Sequence, residues 1–189
     1  MTGVCPGHLH PPPPREPRTG VLSSVLVRAA VAAWSVGMRA LLQRVSNASV
    51  EVADRVVGSI GPGLLVFLGV GSGDSEREAD RLAEKIVNLR IFPDEKQVMN
   101  RSLRDVGGSI LVVSQFTLFA DCRRGRRPSF DPAESPQRAE AMCRYFIEWL
   151  TQRDFSPEQG EFGAHMRVSL QNDGPVTILL DTDDLSRKR

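Results

Sequence analysis

From Met38 onward the chain alternates between two hydrophobic rhythms. Met38 to Val52 swaps apolar and polar side chains at the period of a strand with one face on a core. "DRVVGSIGPGLLVFLGV" continues as a turn, a short strand, a Gly-Pro-Gly turn and a strongly apolar strand, Leu64 to Val70, which the glycines at 69, 71 and 73 end. The period then lengthens. In "SGDSEREADRLAEKIVNLRIF" the residues Ala79, Leu82, Ala83, Ile86 and Val87 recur at helical spacing, and Ser75 with Glu78 forms a capping box. "SILVVSQFTLFA", Ser109 to Ala120, is the most apolar stretch and is short enough for a central strand. A polar loop, "DCRRGRRPSFDPAE", leads to a second helix with Ser135 as N-cap and Pro136 in the first turn. Its inner stripe is Ala139, Met142, Cys143, Phe146 and Leu150. "GEFGAHMRVSLQNDGPVTILLD" closes the pattern with strand, and Val176 to Leu180 reads as buried. This order predicts an α+β fold, a layered sheet with two main helices packed on it.

The first 37 residues are different in kind. "HPPPPREPRTG" holds too little apolar surface to order itself. Val21 to Val36 is apolar but short for a membrane span and is broken by Arg28. It resembles a secretory signal in its apolar run and small residues, but the charged lead is poor and Trp34 crowds any cleavage point. The expected organisation is an extension over 1–37, a domain over 38–182 starting functionally at Met38, and a polar tail over 183–189.

Composition narrows the chemistry. The chain has 189 residues, is 41% hydrophobic and 25% charged, and carries a net charge of +1. Any nucleic-acid partner must therefore be met by a local patch. Cys5, Cys122 and Cys143 are an odd, scattered set that forms neither a disulfide framework nor a zinc site, which suits a reducing compartment. Histidine occurs at 8, 10 and 165, and the first two lie in the extension. A Ser or Cys nucleophile normally needs a histidine base, and His165 reads as a surface or strand-edge residue. "GVGSGDSE" lacks the Lys-Ser/Thr of a phosphate-cradling loop and reads as a turn. Two features stand out. "SQFTL" sets Ser114, Gln115 and Thr117 around Phe116 at the end of an apolar strand. Either these side chains satisfy neighbouring backbone, or they floor a pocket that meets a carbonyl substrate. "RRGRR" puts Arg123, Arg124, Arg126 and Arg127 on one loop, either a solvated basic tip or a phosphate grip.

"SQFTL" and "NDGPVT", with "QRV", "KIVNLRIF", "GRRPSF" and "FGAHM" between and around them, resemble the D-aminoacyl-tRNA deacylase family from Met38 to about Asp181. The resemblance implies a homodimeric, cytoplasmic hydrolase of D-aminoacyl-tRNA, and of mischarged glycyl-tRNA, that uses no cofactor, metal or membrane. It also implies that Gly174–Pro175 is a cis peptide reaching into the partner subunit's pocket. There its carbonyls hold the substrate's amino group and leave no room for an L side chain. Arg44 of "QRV" then braces the Gly-Pro motif. Ser114, Gln115, Phe116 and Thr117 line the catalytic pocket, where backbone N–H groups stabilise the oxyanion. The 2′-hydroxyl of the terminal adenosine assists the hydrolysis, and Thr117 either positions substrate, the favoured role since no base lies near it in sequence, or acts as a nucleophile. Arg123, Arg124, Arg126 and Arg127 are the expected tRNA contact.

Overall fold

A computed structural model of the chain describes residues 37–186. The expectations for the extension and for the last three residues fall outside that range, apart from Gly37. The elements in chain order are β1 (Arg39–Val52), β2 (Arg55–Ile60), β3 (Gly63–Gly69), α1 (Glu76–Asn88), β4 (Phe92–Pro93), β5 (Met99–Arg101), α2 (Leu103–Val106), β6 (Ser109–Ser114), a 3₁₀ turn (Phe116–Phe119), α3 (Pro136–Thr151), β7 (Glu158–Gln159), β8 (Arg167–Asp181) and α4 (Thr182–Ser186). Six strands form one mixed sheet in the order β2-β1-β3-β6-β7, with β8 on the other side of β1. β1 is antiparallel to β2, β3 and β8, whereas β3–β6 and β6–β7 are parallel. The fold is α+β, as the strand and helix rhythms predict. Among the described residues no helix is long and apolar enough to cross a membrane.

The period-2 pattern sorts side chains onto two faces. Ala40, Leu42, Leu64, Val66, Leu68, Ile110 and Val112 meet α1 and α3 in one apolar cluster. Val45, Val50, Leu65, Leu111 and Val113 build a second, against Met166, Val168 and Leu170. β3 is apolar throughout because both its faces are covered. Helix α1 buries Ala79, Leu82, Ala83, Ile86 and Val87, and Ser75 with Glu78 closes the capping box. It ends at Asn88, short of the full apolar stretch, and Phe92–Pro93 instead pairs with Met99–Arg101 in a small hairpin.

Three expectations change. Ser109–Ala120 is not one strand: pairing with β3 stops at Leu68–Ser114, Gln115 leaves strand geometry, and the chain tightens into the 3₁₀ turn. Within α3, Phe146 and Leu150 are buried, but Ala139, Met142 and Cys143 are only half-buried; Ala139 and Cys143 face a cavity, and Trp149 takes a buried place instead. In Val176–Leu180 only Leu180 is buried, and Leu179 is 60% exposed. That stretch lies on the sheet edge, so nothing among the described residues covers its outer side. α4 carries the chain past residue 182 as a helical turn.

Candidate active site

The Gly-Pro pair interrupts β8 without ending it. Gln43 pairs with Thr177 and Val45 with Asn172, so residues 173–176 bulge out opposite Arg44. The Gly174–Pro175 peptide is cis, and Gly174 has φ +140°. An added Cβ there would lie 2.7 Å from Val176 Cγ2, 2.9 Å from Val176 N and 3.0 Å from Arg44 Nη2, so only glycine fits this bulge. Two side chains lock it. Arg44, 8% exposed, donates from Nε to the Asp173 carbonyl at 2.9 Å and from Nη1 to the Ile91 carbonyl at 2.5 Å, and pairs with the Asp173 carboxylate at 3.3 Å. Asn172 spans the base: its Oδ1 accepts from Val176 N at 2.8 Å, and its Nδ2 donates to the Val176 carbonyl at 3.1 Å. Sequence reasoning assigned Asn172 no role. The signal was there, since asparagine before Gly-Pro is turn chemistry.

A cavity of about 560 Å³ opens where β6 gives way to the 3₁₀ turn. Ser114, Gln115 and Phe116 line it, together with Phe130, Glu134, Cys143, Phe162, His165 and Met166. Thr117 is not among the lining residues; its hydroxyl accepts from the Gln115 side-chain amide beside the pocket. The Gln115 N–H donates to the Leu68 carbonyl at 2.7 Å and is therefore not available to an oxyanion. The N–H groups of Phe116 and Thr117 begin the 3₁₀ turn and have no partner within it. Gly174 and Pro175 do not line this cavity, and both are exposed.

The pocket wall is stitched by backbone. Ser72 N donates to the Pro132 carbonyl at 2.9 Å and Glu134 N to the Val70 carbonyl at 3.0 Å, so the Gly-rich turn has a structural use. Glu134 was not foreseen. Burial works to raise its carboxyl, but N–H donors from Ser135 and Gly73 and the nearby Arg138 outweigh this and hold it below the usual glutamate range. It is thus an ionised group on the wall. Cys143 is the opposite: burial, with Glu140 adding, pushes its thiol up to about 12, which makes it a poor nucleophile. His165 is exposed at the cavity.

The basic loop is tied to the pocket. Asp121 and Ser129 exchange backbone hydrogen bonds at 2.7 and 3.0 Å and pinch its base. Phe130, just beyond, packs edge-on against Phe116 with ring centroids 4.9 Å apart. Arg123 grips Asp121 through Nε and Nη2 and holds that carboxyl at about 2. Among the described residues, Arg124, Arg126 and Arg127 have no such partner and are exposed.

The fold and site define an α+β domain with a largely apolar pocket, which Ser114, Gln115 and Glu134 also line, beside a basic loop, and a second, detached motif in a locked bulge. The chain belongs to the D-Tyr-tRNA(Tyr) deacylase family, whose model matches residues 41–181. It is 61% identical over 145 residues to a D-aminoacyl-tRNA deacylase of Roseiflexus sp., covering 77% of this chain and 94% of that one. It is 57% identical over 148 residues to one from Syntrophomonas wolfei, covering 78% and 99%. A solved structure titled c-Myc DNA Unwinding Element Binding Protein superposes with a TM-score of 0.71 at 40% identity, over 75% of this chain and 97% of that one. A probable eukaryotic D-amino acid tRNA deacylase shares the fold, with a TM-score of 0.65 at 18% identity, over 76% and 98%.

Proposed function

We propose that this chain hydrolyses the ester that joins a D-amino acid, or mischarged glycine, to the 3′ end of tRNA, and that it does so in the cytoplasm as a homodimer. The observation that carries this reading is the separation of two motifs. Gly174–Pro175 is held rigidly by Arg44 and Asn172, yet lies outside its own chain's pocket. A second copy supplies what is missing: its Gly174–Pro175 enters this pocket, and this chain's enters the other. Phe116 at 59% exposure and Leu179 at 60% are apolar surface that such a partner would cover.

In that arrangement the Gly-Pro carbonyls accept hydrogen bonds from the substrate ammonium. An L side chain would meet the bulge, a D side chain points away from it, and glycine has none. Selection by exclusion serves substrates with many different side chains, which attractive contacts could not. Water attacks the ester carbonyl, the acyl–oxygen bond breaks and the ribose 3′-oxygen takes the proton, with the neighbouring 2′-hydroxyl assisting. The Phe116 and Thr117 N–H groups are the donors for the developing oxyanion; one such donor typically contributes about 2.7–4 kcal/mol. Thr117, already accepting from Gln115, holds position.

The test uses D-Tyr-tRNA and L-Tyr-tRNA side by side, with and without chelator, and sedimentation at the same protein concentration. Release from the D form alone, unaffected by chelator, from a two-chain species is expected. A tRNA ending in 2′-deoxyadenosine should be a poor substrate. Binding without release from either form would replace the enzyme with an RNA-binding module, and equal turnover of free D-amino acid esters would point to a general small-ester hydrolase.

The tRNA body is assigned to the basic loop. Exchanging Arg124, Arg126 and Arg127 for glutamine should weaken binding and flatten its salt dependence by about 0.7–0.9 in log–log slope for each phosphate no longer neutralised. Arg123, already paired with Asp121, should matter less. Identical binding at every salt concentration would remove the loop from the footprint.

A further inference from the structure

Ahead of α1, a buried acid has no cation beside it among the described residues. Asp74, in the loop before α1, is 3% exposed. Its Oδ2 accepts from Gly71 N at 2.6 Å, but Oδ1 has no hydrogen-bond partner. Thr182, the first residue of α4, is 2% exposed, and its Oγ1 is also unpartnered. Among the described residues, the charged groups that act on Asp74 are Glu78 of α1, Asp183 of α4 and Asp181 of β8, all acidic. Arg39, at the start of β1, is spent on Asp181 at 2.9 Å. Burial, with those three acids adding, outweighs the Gly71 N–H and pushes the Asp74 carboxyl up to about 7.

The start of β1 runs against Thr182 and Asp183. Met38 is fully buried, and its carbonyl accepts from Thr182 N at 3.0 Å. Gly37, the residue before it, is wedged: a Cβ there would lie 2.2 Å from Thr182 Oγ1, 2.7 Å from Asp183 N and 3.1 Å from Asp183 Oδ1. Two oxygens, Thr182 Oγ1 and Asp183 Oδ1, thus crowd the chain just ahead of Met38, where a polypeptide has no charge and little to donate. A chain beginning at Met38 would carry three N–H donors and a positive charge at that point. The relatives fit such a start. Two of them are matched over 97% and 99% of their own length by 146 and 148 residues of this chain, which leaves them no counterpart of residues 1–37.

We propose that Asp74, Thr182 and Asp183 form a binding site for the chain's own α-ammonium, in a form of the protein whose first residue is Met38. The ammonium donates to the unpartnered Asp74 and Thr182 oxygens and to the Asp183 carboxylate. It ties the start of β1 to α1 and to the end of β8. In the longer chain Gly37 stands at this place, and glycine is the one residue type the space tolerates.

The test compares thermal unfolding of the full chain and of the Met38-start chain, each with and without Asp74→Asn, across pH. The shorter form holds every described element and every buried core residue among the described ones, and a relative of about its length is matched over 99% of itself. At neutral pH, Asp74→Asn should lower the unfolding temperature of the Met38-start form by several degrees. In the full chain it should leave that temperature unchanged or raise it, because it removes a buried charge that has no cation beside it among the described residues. The wild-type forms should differ as well. In the full chain Asp74 keeps its proton above its unfolded pKa, so stability falls as pH rises from about 4 to about 7. In the Met38-start form the ammonium removes that slope; its contribution is complete below about pH 8 and is lost above its raised pKa. Equal shifts from Asp74→Asn in both forms, or superimposable wild-type pH profiles, would overturn the proposal. If Asp74→Asn does not fold, Thr182→Val should show the same contrast between the two forms, and equal effects would again overturn it.

Discussion

Gly174→Ala is expected to lower the single-turnover rate of D-Tyr-tRNA deacylation by about 100-fold while the protein stays folded. The added methyl meets Val176 Cγ2 at 2.7 Å, Val176 N at 2.9 Å and Arg44 Nη2 at 3.0 Å, and two of these atoms belong to the device that holds the bulge. An L residue is also disfavoured at φ +140°. The bulge must therefore shift, and its carbonyls shift with it. A displacement near 1 Å in a positioning element costs about 10²-fold in rate. Rejection of L-Tyr-tRNA should weaken in the same variant, because the excluding surface has moved. A folded Gly174→Ala protein with the parent's rate and the parent's D/L ratio would separate the bulge from the chemistry.

Arg44→Ala should cost both stability and activity. The guanidinium is buried and serves two carbonyls that lie far apart in sequence, Ile91 at 2.5 Å and Asp173 at 2.9 Å. Hydrogen bonds from a charged donor contribute about 1.5–3 kcal/mol, and the truncation leaves both acceptors without their partner. For a domain of this size that lowers the unfolding temperature by about 2–4 °C per kcal/mol. Activity should fall more than stability alone explains, since Arg44 also packs beneath Gly174. Arg44→Lys keeps the charge but loses the fork, and should recover part of the stability and little of the activity. Differential scanning calorimetry together with the deacylation assay distinguishes these effects. Full activity in a destabilised Arg44→Ala protein would reduce Arg44 to a structural residue.

Much of the architecture was legible along the chain. The strand and helix rhythms placed β1, β2, β3, α1 and α3, and the Ser75–Glu78 box marked where α1 begins. Those features are local, set by residues within a turn or a strand of one another. The family resemblance likewise rested on short contiguous motifs, "SQFTL" and "NDGPVT". Errors came where a local pattern was asked about distant neighbours. "SQFTL" looked like the end of a strand, but its partner β3 stops pairing at Leu68 and the chain turns. Val176–Leu180 looked buried because it is apolar, yet it sits on a sheet edge.

The site divides in the same way. The sequence by itself determined which residues carry the family's motifs and that Gly-Pro breaks a strand. Only the tertiary structure decided that the break is a bulge opposite Arg44, that Asn172 closes its base, and that Gln115's N–H is spent on Leu68 while those of Phe116 and Thr117 begin a turn that offers them no acceptor. It also decided that Glu134 stands ionised on the pocket wall and that Asp74 Oδ1 and Thr182 Oγ1 are buried without partners. The physical reason is range. Periodicity reports which side of an element is apolar, whereas hydrogen-bond satisfaction and desolvation depend on what the rest of the chain brings against that side, here from residues as distant as Arg44 and Asp173.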